Sequence, residues 1–173
     1  MVGFGLSGRF LQAPFYETLP QFKLAKIVTS RPIPQEIFRE AVPSSSIQDL
    51  IDDQEIELIA ICTPNHTHYE LTKKCLLAGK HVLVEKPATA TLAEAKELYA
   101  LAKQQNKVLC VYQNRRFDSD FLTCLKLIKG NFLGEIHTYE AHFHRFKPEL
   151  NTKTWKEDVS PANGILYDLG AHL

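Results

Sequence analysis

Short apolar runs alternate with amphipathic segments along the chain as far as Gly130. The segment Glu57–Thr63 (ELIAICT) shows no polar alternation, which is typical of a strand covered on both faces. Such strands, separated by helices, predict a parallel sheet with helices on both of its faces. The predicted strands are Leu24–Thr29, Glu57–Thr63, His81–Val84 and Val108–Tyr112, and the predicted helices are Pro34–Ala41, Ile47–Asp53, His68–Ala78, Leu92–Gln105 and Ser119–Lys129.

Several of these helices carry sequence signals at their ends. Gly79 and Gly130 follow two of the amphipathic segments, and glycine is a common helix stop. Thr91 and Glu94 have the spacing of a capping box, in which the hydroxyl and the carboxylate bind amides at the start of a helix. These signals support the predicted helix bounds.

The pattern changes after Gly134. Residues Glu135–Phe146 alternate apolar or aromatic with polar side chains at a period of two, which predicts a strand with one solvated or site-lining face. We interpret Gly164–Leu173 as the beginning of a helix. We therefore predict an α/β domain over 1–117, followed over 118–173 by a linker helix and the beginning of a second domain.

Both ends suggest that the chain is part of a longer protein. A doubly wound sheet needs a strand before its first glycine loop, yet only Met1 and Val2 precede Gly3. The chain stops at Leu173 inside a predicted helix, and the segment before Val42 is short for the usual helix and third strand. We expect a fragment of a two-domain protein whose second domain is incomplete.

Composition and charge exclude several classes of function. Among 173 residues, 20 Lys and Arg balance 20 Asp and Glu, so the cationic surface required by nucleic acid is not expected. No apolar run approaches the roughly 18–20 residues that span a bilayer, and no signal peptide is recognisable. The four cysteines form no CxxC pair and are expected to be reduced core thiols. A cytoplasmic protein follows as the default.

The first motif is a glycine loop at the start of the chain. Gly3–Gly8 (GFGLSG) matches GxGxxG, in which the first glycine permits a tight turn, the second lets a pyrophosphate approach and the third lets helix pack on strand. Amides at the following helix start would hold the anion. A chance glycine turn is the alternative, but the position of the motif at the head of the strand–helix pattern favours dinucleotide binding.

The predicted ribose site indicates which dinucleotide is preferred. An acidic residue about 20 residues after the loop would bind the free 2′-hydroxyl of NAD. Ser30 and Arg31 stand there instead, and a hydroxyl with a guanidinium can hold the 2′-phosphate of NADP. An ordinary surface arginine is the alternative, so NADP is favoured and NAD is kept as the second choice.

Polar residues follow two of the buried strands, at the edge where ligands bind in such sheets. Thr63, Pro64 and Asn65 end one strand, with His68 three residues later at a helix start. Asn65 as a helix cap and His68 as a surface or capping residue are equally compatible with this spacing. Two histidines without a third ligand nearby do not predict a metal site.

Glu85 and Lys86 end the next strand, and Pro87 fixes the turn. A lysine near an apolar strand end and a cationic nicotinamide is a candidate acid/base group, and Glu85 can hold a ribose hydroxyl. Asp168 and His172 are four residues apart, so on a helix they share one face, where His172 can accept a proton near neutral pH. A charged turn and a surface histidine are the alternatives.

The motifs together resemble those of a known family. GFGLSG, TPNHTH, HVLVEKP and GILYDLGAH occur in the order seen in the glucose–fructose oxidoreductase/inositol dehydrogenase/MocA family, and the similarity covers essentially the whole chain. Tyr112–Asp118 is similar to the NADP-preferring, inositol dehydrogenase-like branch. The resemblance implies a Rossmann domain followed by a dihydrodipicolinate-reductase-like α/β domain, which would mediate a homodimer or homotetramer and cover the substrate.

The resemblance also implies residue roles. Lys86 would be the catalytic lysine, Asp168 and His172 its partners around the reacting hydroxyl, and Glu85 and Asn65 would line the nicotinamide ribose. The expected catalytic residues are Lys86, Asp168 and His172, and the expected cofactor-binding residues are Gly3, Gly5, Leu6, Ser7, Gly8, Ser30, Arg31, Thr63, Pro64, Asn65, His68, Glu85, Lys86 and Gln113.

These roles predict an oxidoreductase that transfers hydride between NADP and a hydroxyl or carbonyl carbon of a cyclic polyol or sugar. Two alternatives stay open. One is a non-catalytic NADP-binding redox sensor, because a Rossmann fold alone does not establish catalysis. The other is a same-family reductase of a different carbonyl, such as an aldose or a tetrapyrrole.

Overall fold

The parallel sheet predicted from the sequence is present. A computed structural model describes residues 1–144, 146, 148–149 and 159–172. Its strands in the described residues are β1 Lys26–Val28, β2 Val42–Ser44, β3 Leu58–Ile61, β4 His81–Val84 and β5 Leu109–Val111. The pairs β1–β2, β3–β4 and β4–β5 are all parallel, which confirms the doubly wound α/β fold class.

Val2 takes the place of the first strand at the centre of the sheet. It forms parallel bridges to Val28 of β1 and to Ile61 of β3, so that it joins the two groups of strands. Its amide donates to the carbonyl of Ala60 at 2.7 Å, and its carbonyl accepts from the amide of Cys62 at 2.8 Å. The order β2–β1–Val2–β3–β4–β5 brings the chain after Val2 to the middle of the carboxyl edge, where a dinucleotide binds in such folds.

The region between β1 and β2 corrects two sequence-based expectations. Pro34–Ala41 forms isolated turns and not a helix. Phe38 is buried there with its ring 5.6 Å from that of Phe4, so tertiary packing dictates the path. The third strand, expected to be missing, is present as β2, with Val42 in register with Lys26.

The α-helices of the described residues are α1 Ala13–Thr18, α2 Gln48–Ile51, α3 His68–Leu77, α4 Leu92–Gln104, α5 Ser119–Lys129 and α6 Ile165–Leu169. The bounds of α3, α4 and α5 agree with the predicted ones to within one residue, α2 is shorter than predicted, and α1 was not predicted. The capping box of α4 is confirmed, because the amide of Glu94 donates to Thr91 Oγ1 at 3.3 Å and the amide of Thr91 to Glu94 Oε2 at 2.9 Å. α6 is shorter than predicted and continues as a 3₁₀ turn over Gly170–His172.

The predicted strand Glu135–Phe146 is wrong for the part that the structure describes. Residues 135–144 have no regular secondary structure. A period-two pattern becomes a strand only when a neighbouring strand accepts its backbone hydrogen bonds. None of the strands in the described residues pairs with this segment. Arg145, within the predicted strand, lies outside the described residues.

Two apolar clusters cover the two faces of the sheet. β3 supplies both, since Ile59 and Ile61 belong to one cluster and Ala60 to the other. This explains the missing polar alternation in its sequence. The first cluster contains Val2, Leu50, Ile51, Ile59, Ile61, Cys75, Leu76, Val82, Val84, Leu98 and Ala102, and the second contains Met1, Phe4, Ala13, Leu24, Ile27, Phe38, Ala41 and Ala60.

The cysteines only partly match the expectation of reduced core thiols. All four thiols are free, but Cys110 and Cys124 are exposed. Cys75 is fully buried against the sheet, and Cys62 is half-buried at its carboxyl edge. Apolar neighbours in the sequence therefore did not predict burial, because the side of a strand or helix on which a residue falls depends on what packs there.

Candidate active site at the carboxyl edge of the sheet

The glycine loop has the geometry that its three glycines imply. Gly3 has a φ of +90°, and a Cβ placed on it would lie 2.6 Å from the carbonyl oxygen of Cys62. A Cβ on Gly8 would collide with the carbonyl oxygen of Gly3, whereas a Cβ on Gly5 would meet open space. Gly3 and Gly8 are therefore required by the protein's own packing. Gly5 leaves an open backbone cradle, which fits a pyrophosphate.

A π-helical turn, Ser7–Gln12, follows the loop and is bound to the end of β4. The Ser7 hydroxyl donates to the Glu85 carboxylate, and Gln12 Nε2 donates to Glu85 Oε1 at 2.8 Å. Tyr112, just after β5, donates its hydroxyl to the carbonyl of Leu11 at 2.8 Å. Sequence reasoning missed Gln12, because it lies beyond the Gly3–Gly8 motif and only the folded chain brings it to Glu85.

Lys86 and Asp168, predicted as catalytic partners, form an ion pair. Lys86 Nζ lies 2.8 Å from Asp168 Oδ1 and also donates to the backbone carbonyl of Asp168. Their side chains are 14% and 30% exposed, so the pair is partly buried. The pairing fixes the direction of the Lys86 ammonium. Lys86 lies just after β4, and its backbone amide donates to Glu85 Oε2 at 3.2 Å.

His172 belongs to the same charged group. Burial lowers the pKa of His172 from its ordinary value of 6.5, and the positive charges of Lys86 and Arg115 lower it further, against a smaller opposing effect of Asp168. Its Nδ1 is buried with no hydrogen-bond partner in the described part of the chain. A neutral imidazole at neutral pH is suited to accept a proton.

The loop after β3 contributes Asn65 and His68 in different ways. Asn65 Nδ2 donates to the carbonyl of Ala162 at 2.7 Å, which holds the segment before α6 against the sheet edge. Asn65 makes no helix-cap hydrogen bond and begins a 3₁₀ turn after Pro64. Thr63 shares a hydroxyl hydrogen bond of 2.6 Å with Thr67.

His68 lies behind this edge and not at its surface. It is 0% exposed, and its Nδ1 and Nε2 lie 2.7 Å from the carbonyl of Pro87 and 2.9 Å from that of Thr63. Both ring nitrogens therefore face backbone oxygens inside the protein. The ring connects the loop after β3 to the loop that carries Lys86, a position in which it orients other groups without offering a nitrogen atom to a cofactor.

The remaining predicted residues also lie at strand ends. Ser30 and Arg31 are exposed in the turn after β1, where the amide of Arg31 donates to Thr29 Oγ1 at 2.9 Å. Gln113 is half-buried after β5, and its amide donates to the carbonyl of Val111 at 2.8 Å. Leu6 is 72% exposed at the tip of the glycine loop.

Two other properties of the described residues bear on function. No group of three or more His, Cys, Asp or Glu side chains in them is arranged to hold a metal ion. None of the helices that the structure describes has the length and apolar character needed to cross a membrane.

Comparison with known proteins gives one consistent result. Residues 1–113 match the model of an oxidoreductase family with an NAD-binding Rossmann fold, and residues 125–173 match that family's C-terminal α/β domain. The chain is 40% identical to scyllo-inositol 2-dehydrogenase (NADP(+)) of Bacillus subtilis over 176 residues, covering 100% of this chain and 48% of that protein. It is 29% identical to D-glucoside 3-dehydrogenase of Escherichia coli, covering 100% of this chain and 50% of that enzyme.

Solved structures agree with the sequence matches. The structure of yvaA from Bacillus subtilis superposes with a TM-score of 0.92 at 40% identity, covering 99% of this chain and 48% of that one. A Bacteroides fragilis protein superposes with a TM-score of 0.85 at 41% identity, covering 99% and 47%. The chain thus spans about half the length of the relatives it matches. Because both family models match and the relatives align over the whole chain, this chain belongs to the Gfo/Idh/MocA family of oxidoreductases.

Proposed function

We propose that this chain carries the cofactor site and the proton-transfer group of an NADP-dependent dehydrogenase that acts on a secondary hydroxyl of a cyclic polyol or sugar. The observation that carries the proposal is the Lys86–Asp168 ion pair of 2.8 Å, with His172 in the same charged group, at the edge that holds the open glycine loop. Dehydrogenases of a polyol and of a glucoside among the relatives support this substrate class.

Each of the three residues has a distinct role in the proposed reaction. His172, whose lowered pKa keeps it neutral, accepts the proton of the substrate hydroxyl. Lys86 stabilises the negative charge that develops on the oxygen, and Asp168 orients the Lys86 ammonium through their hydrogen bond. When bound, the oxidised nicotinamide supplies the acceptor for the hydride that leaves the same carbon.

Residues of the glycine loop and of the strand ends would hold the cofactor. Gly5 leaves backbone space for the pyrophosphate, and Glu85 and Asn65 would contact the nicotinamide ribose. Ser30 and Arg31, exposed after β1, would hold the 2′-phosphate. No acidic side chain occurs between Val28 and Arg31 to repel that phosphate.

The test of the catalytic role uses the intact protein with NADP and a panel of inositols and aldoses. Lys86→Ala should reduce kcat by a factor of about 100 or more and change NADP affinity little, because charge stabilisation acts in the transition state. Lys96→Ala, at an exposed lysine of α4, is the matched control and should keep full activity. Turnover that survives Lys86→Ala would refute the role of Lys86.

The test of the cofactor preference compares Arg31 with another exposed arginine. Arg31→Ala should weaken NADP binding about tenfold through the loss of a charge-assisted hydrogen bond and leave NAD binding unchanged. Arg39→Ala, at an exposed position before β2, should change neither affinity. Equal losses for NADP and NAD would contradict a contact with the 2′-phosphate. Cofactor binding without turnover of any substrate would indicate a redox sensor.

We also propose that the intact protein is a homodimer or homotetramer formed through its second domain. Large apolar side chains of α5 and the residues after it are exposed, among them Leu122 and Phe132. Their exposure fits an interface or contact with further chain in that region. Light scattering coupled to size exclusion would test the oligomeric state, and a monomer at micromolar concentration would refute it.

A further inference from the structure

Gln12 is a buried polar side chain for which the proposed reaction has no use. It is 1% exposed and is the last residue of the helical turn that follows the glycine loop. Its Nε2 donates to Glu85 Oε1 at 2.8 Å, and its Oε1 accepts the hydroxyl of Tyr16 at 2.9 Å. Resting on the proposed function, we propose that Gln12 is a positioning residue that orients the Glu85 carboxylate toward the nicotinamide-ribose half of the cofactor.

The chemistry of a primary amide matches this position. A buried polar group must be hydrogen-bonded, and an amide offers a donor to the carboxylate and an acceptor to the phenol at once. Burial raises the pKa of Tyr16 above its ordinary range, with smaller contributions from Cys62, Tyr112 and Glu85, so the phenol remains protonated and donates. A polar network thus runs from Tyr16 through Gln12 to Glu85.

The network restricts Glu85 on both of its oxygens. Oε1 accepts from Gln12 and from the Ser7 hydroxyl, and Oε2 accepts the amide of Lys86 at 3.2 Å. Glu85 is 9% exposed, so a rotation of its carboxylate would leave one of these donors unpaired inside the protein. Removal of Gln12 lifts one of the restraints and gives the carboxylate other orientations.

The network connects the glycine-loop turn to the proposed nicotinamide end of the cofactor site. Gln12 and Ser7 lie on the turn after the loop that receives the pyrophosphate, whereas Glu85 precedes the catalytic Lys86. The adenine half is held at a different strand end, by Ser30 and Arg31 in the proposed function. Loss of Gln12 should therefore weaken contacts of the nicotinamide-ribose half and spare those of the adenine half.

Calorimetric titration of the intact protein tests this difference. The titrants are the preferred dinucleotide and its adenine half, which is adenosine 2′,5′-bisphosphate for NADP or ADP for NAD. Gln12→Leu should weaken the dinucleotide about tenfold, the scale of one hydrogen bond to a charged group, and leave the adenine half within about twofold. The matched control, Gln104→Leu at an exposed position of α4, should change neither.

Two further variants keep the proposal falsifiable if Gln12→Leu does not fold. Tyr16→Phe removes only the hydroxyl that Gln12 accepts, and should give a smaller loss that is again confined to the dinucleotide. In a Glu85→Ala background, which removes the oxygen that accepts from Gln12, either substitution should cause no additional loss, because its effect is transmitted through the carboxylate.

The outcomes separate this proposal from the proposed function. Parallel losses for the dinucleotide and its adenine half would show a general structural role and overturn the role of Gln12, as would unchanged affinities or an undiminished loss in the Glu85→Ala background. If the wild-type protein bound neither NADP nor NAD, both proposals would be overturned together. Selective loss in the wild-type background, abolished by Glu85→Ala, would establish the positioning role.

Discussion

His68 should be one of the residues on which the stability of the site depends most. Its ring is 0% exposed and lies 2.9 Å from the carbonyl of Thr63 and 2.7 Å from that of Pro87. These carbonyls belong to the loops that carry Asn65 and Lys86. Truncation at this position would leave both carbonyl oxygens inside the protein without their present partner.

The magnitude follows from the imidazole donor that these carbonyls would lose. A neutral imidazole has a single N–H, so at least one of the two carbonyls loses a hydrogen bond, and a buried polar group left without a partner costs roughly 1–3 kcal/mol. His68→Ala also creates a cavity, and we expect it to lower the free energy of unfolding by about 4 kcal/mol. His68→Leu fills most of that space and should retain about 2 kcal/mol of the loss, because the hydrogen bond is still missing.

Urea unfolding followed by far-ultraviolet circular dichroism measures these differences. His66→Ala is the matched control, since His66 is exposed two residues away on the same turn, and it should change stability by less than about 0.5 kcal/mol. A loss below about 1 kcal/mol for His68→Leu would refute the reasoning. It would mean that the two loops keep their positions without the ring.

Three other predictions concern the loop, the thiols and the pH dependence of stability. Gly3→Ala should prevent stable folding, because its Cβ would collide with the backbone after β3 and its φ of +90° disfavours a side chain. Gly5→Ala should keep the melting temperature of the wild type in differential scanning calorimetry and bind dinucleotide more weakly in a calorimetric titration. Cys110 should react with a thiol reagent in the folded protein much faster than Cys75, since burial removes access to Cys75 and raises its pKa to about 12; equal rates would contradict this. His172 binds a proton less readily in the folded than in the unfolded chain, so the free energy of unfolding should fall as the pH drops below 6.5 toward the lowered folded pKa, and His172→Asn should flatten that slope in urea titrations.

Much of the α/β layer was predictable because its signals are local. The capping box of α4 lies within four consecutive residues, and α5 has the predicted bounds Ser119–Lys129. β3 is recognisable from an uninterrupted apolar run, which reports that both of its faces are covered. The glycine loop likewise indicated dinucleotide binding through its spacing and its position at the head of the strand–helix pattern. Each of its glycines has the surroundings that the motif implies.

Other features were decided by contacts between distant parts of the chain. Pro34–Ala41 has a helical sequence pattern, but its path is set by the burial of Phe38. The alternating segment after Gly134 has no strand to pair with in the described residues. The family resemblance predicted Lys86 and Asp168 as partners, but their separation of 82 residues means that only the folded chain shows the 2.8 Å ion pair. Gln12 and Glu85, 73 residues apart, are the clearest case.

The sequence by itself determined the alternation of strands and helices, the dinucleotide loop and the types of residue available at the strand ends. These properties depend on periodicity, chirality and turn chemistry, which act over a few residues. The tertiary structure decided that Gln12 meets Glu85, that His68 is enclosed and that Lys86 points to Asp168. Those pairings depend on how distant segments come together, because a buried polar group is satisfied by whichever partner the packing brings within hydrogen-bond distance.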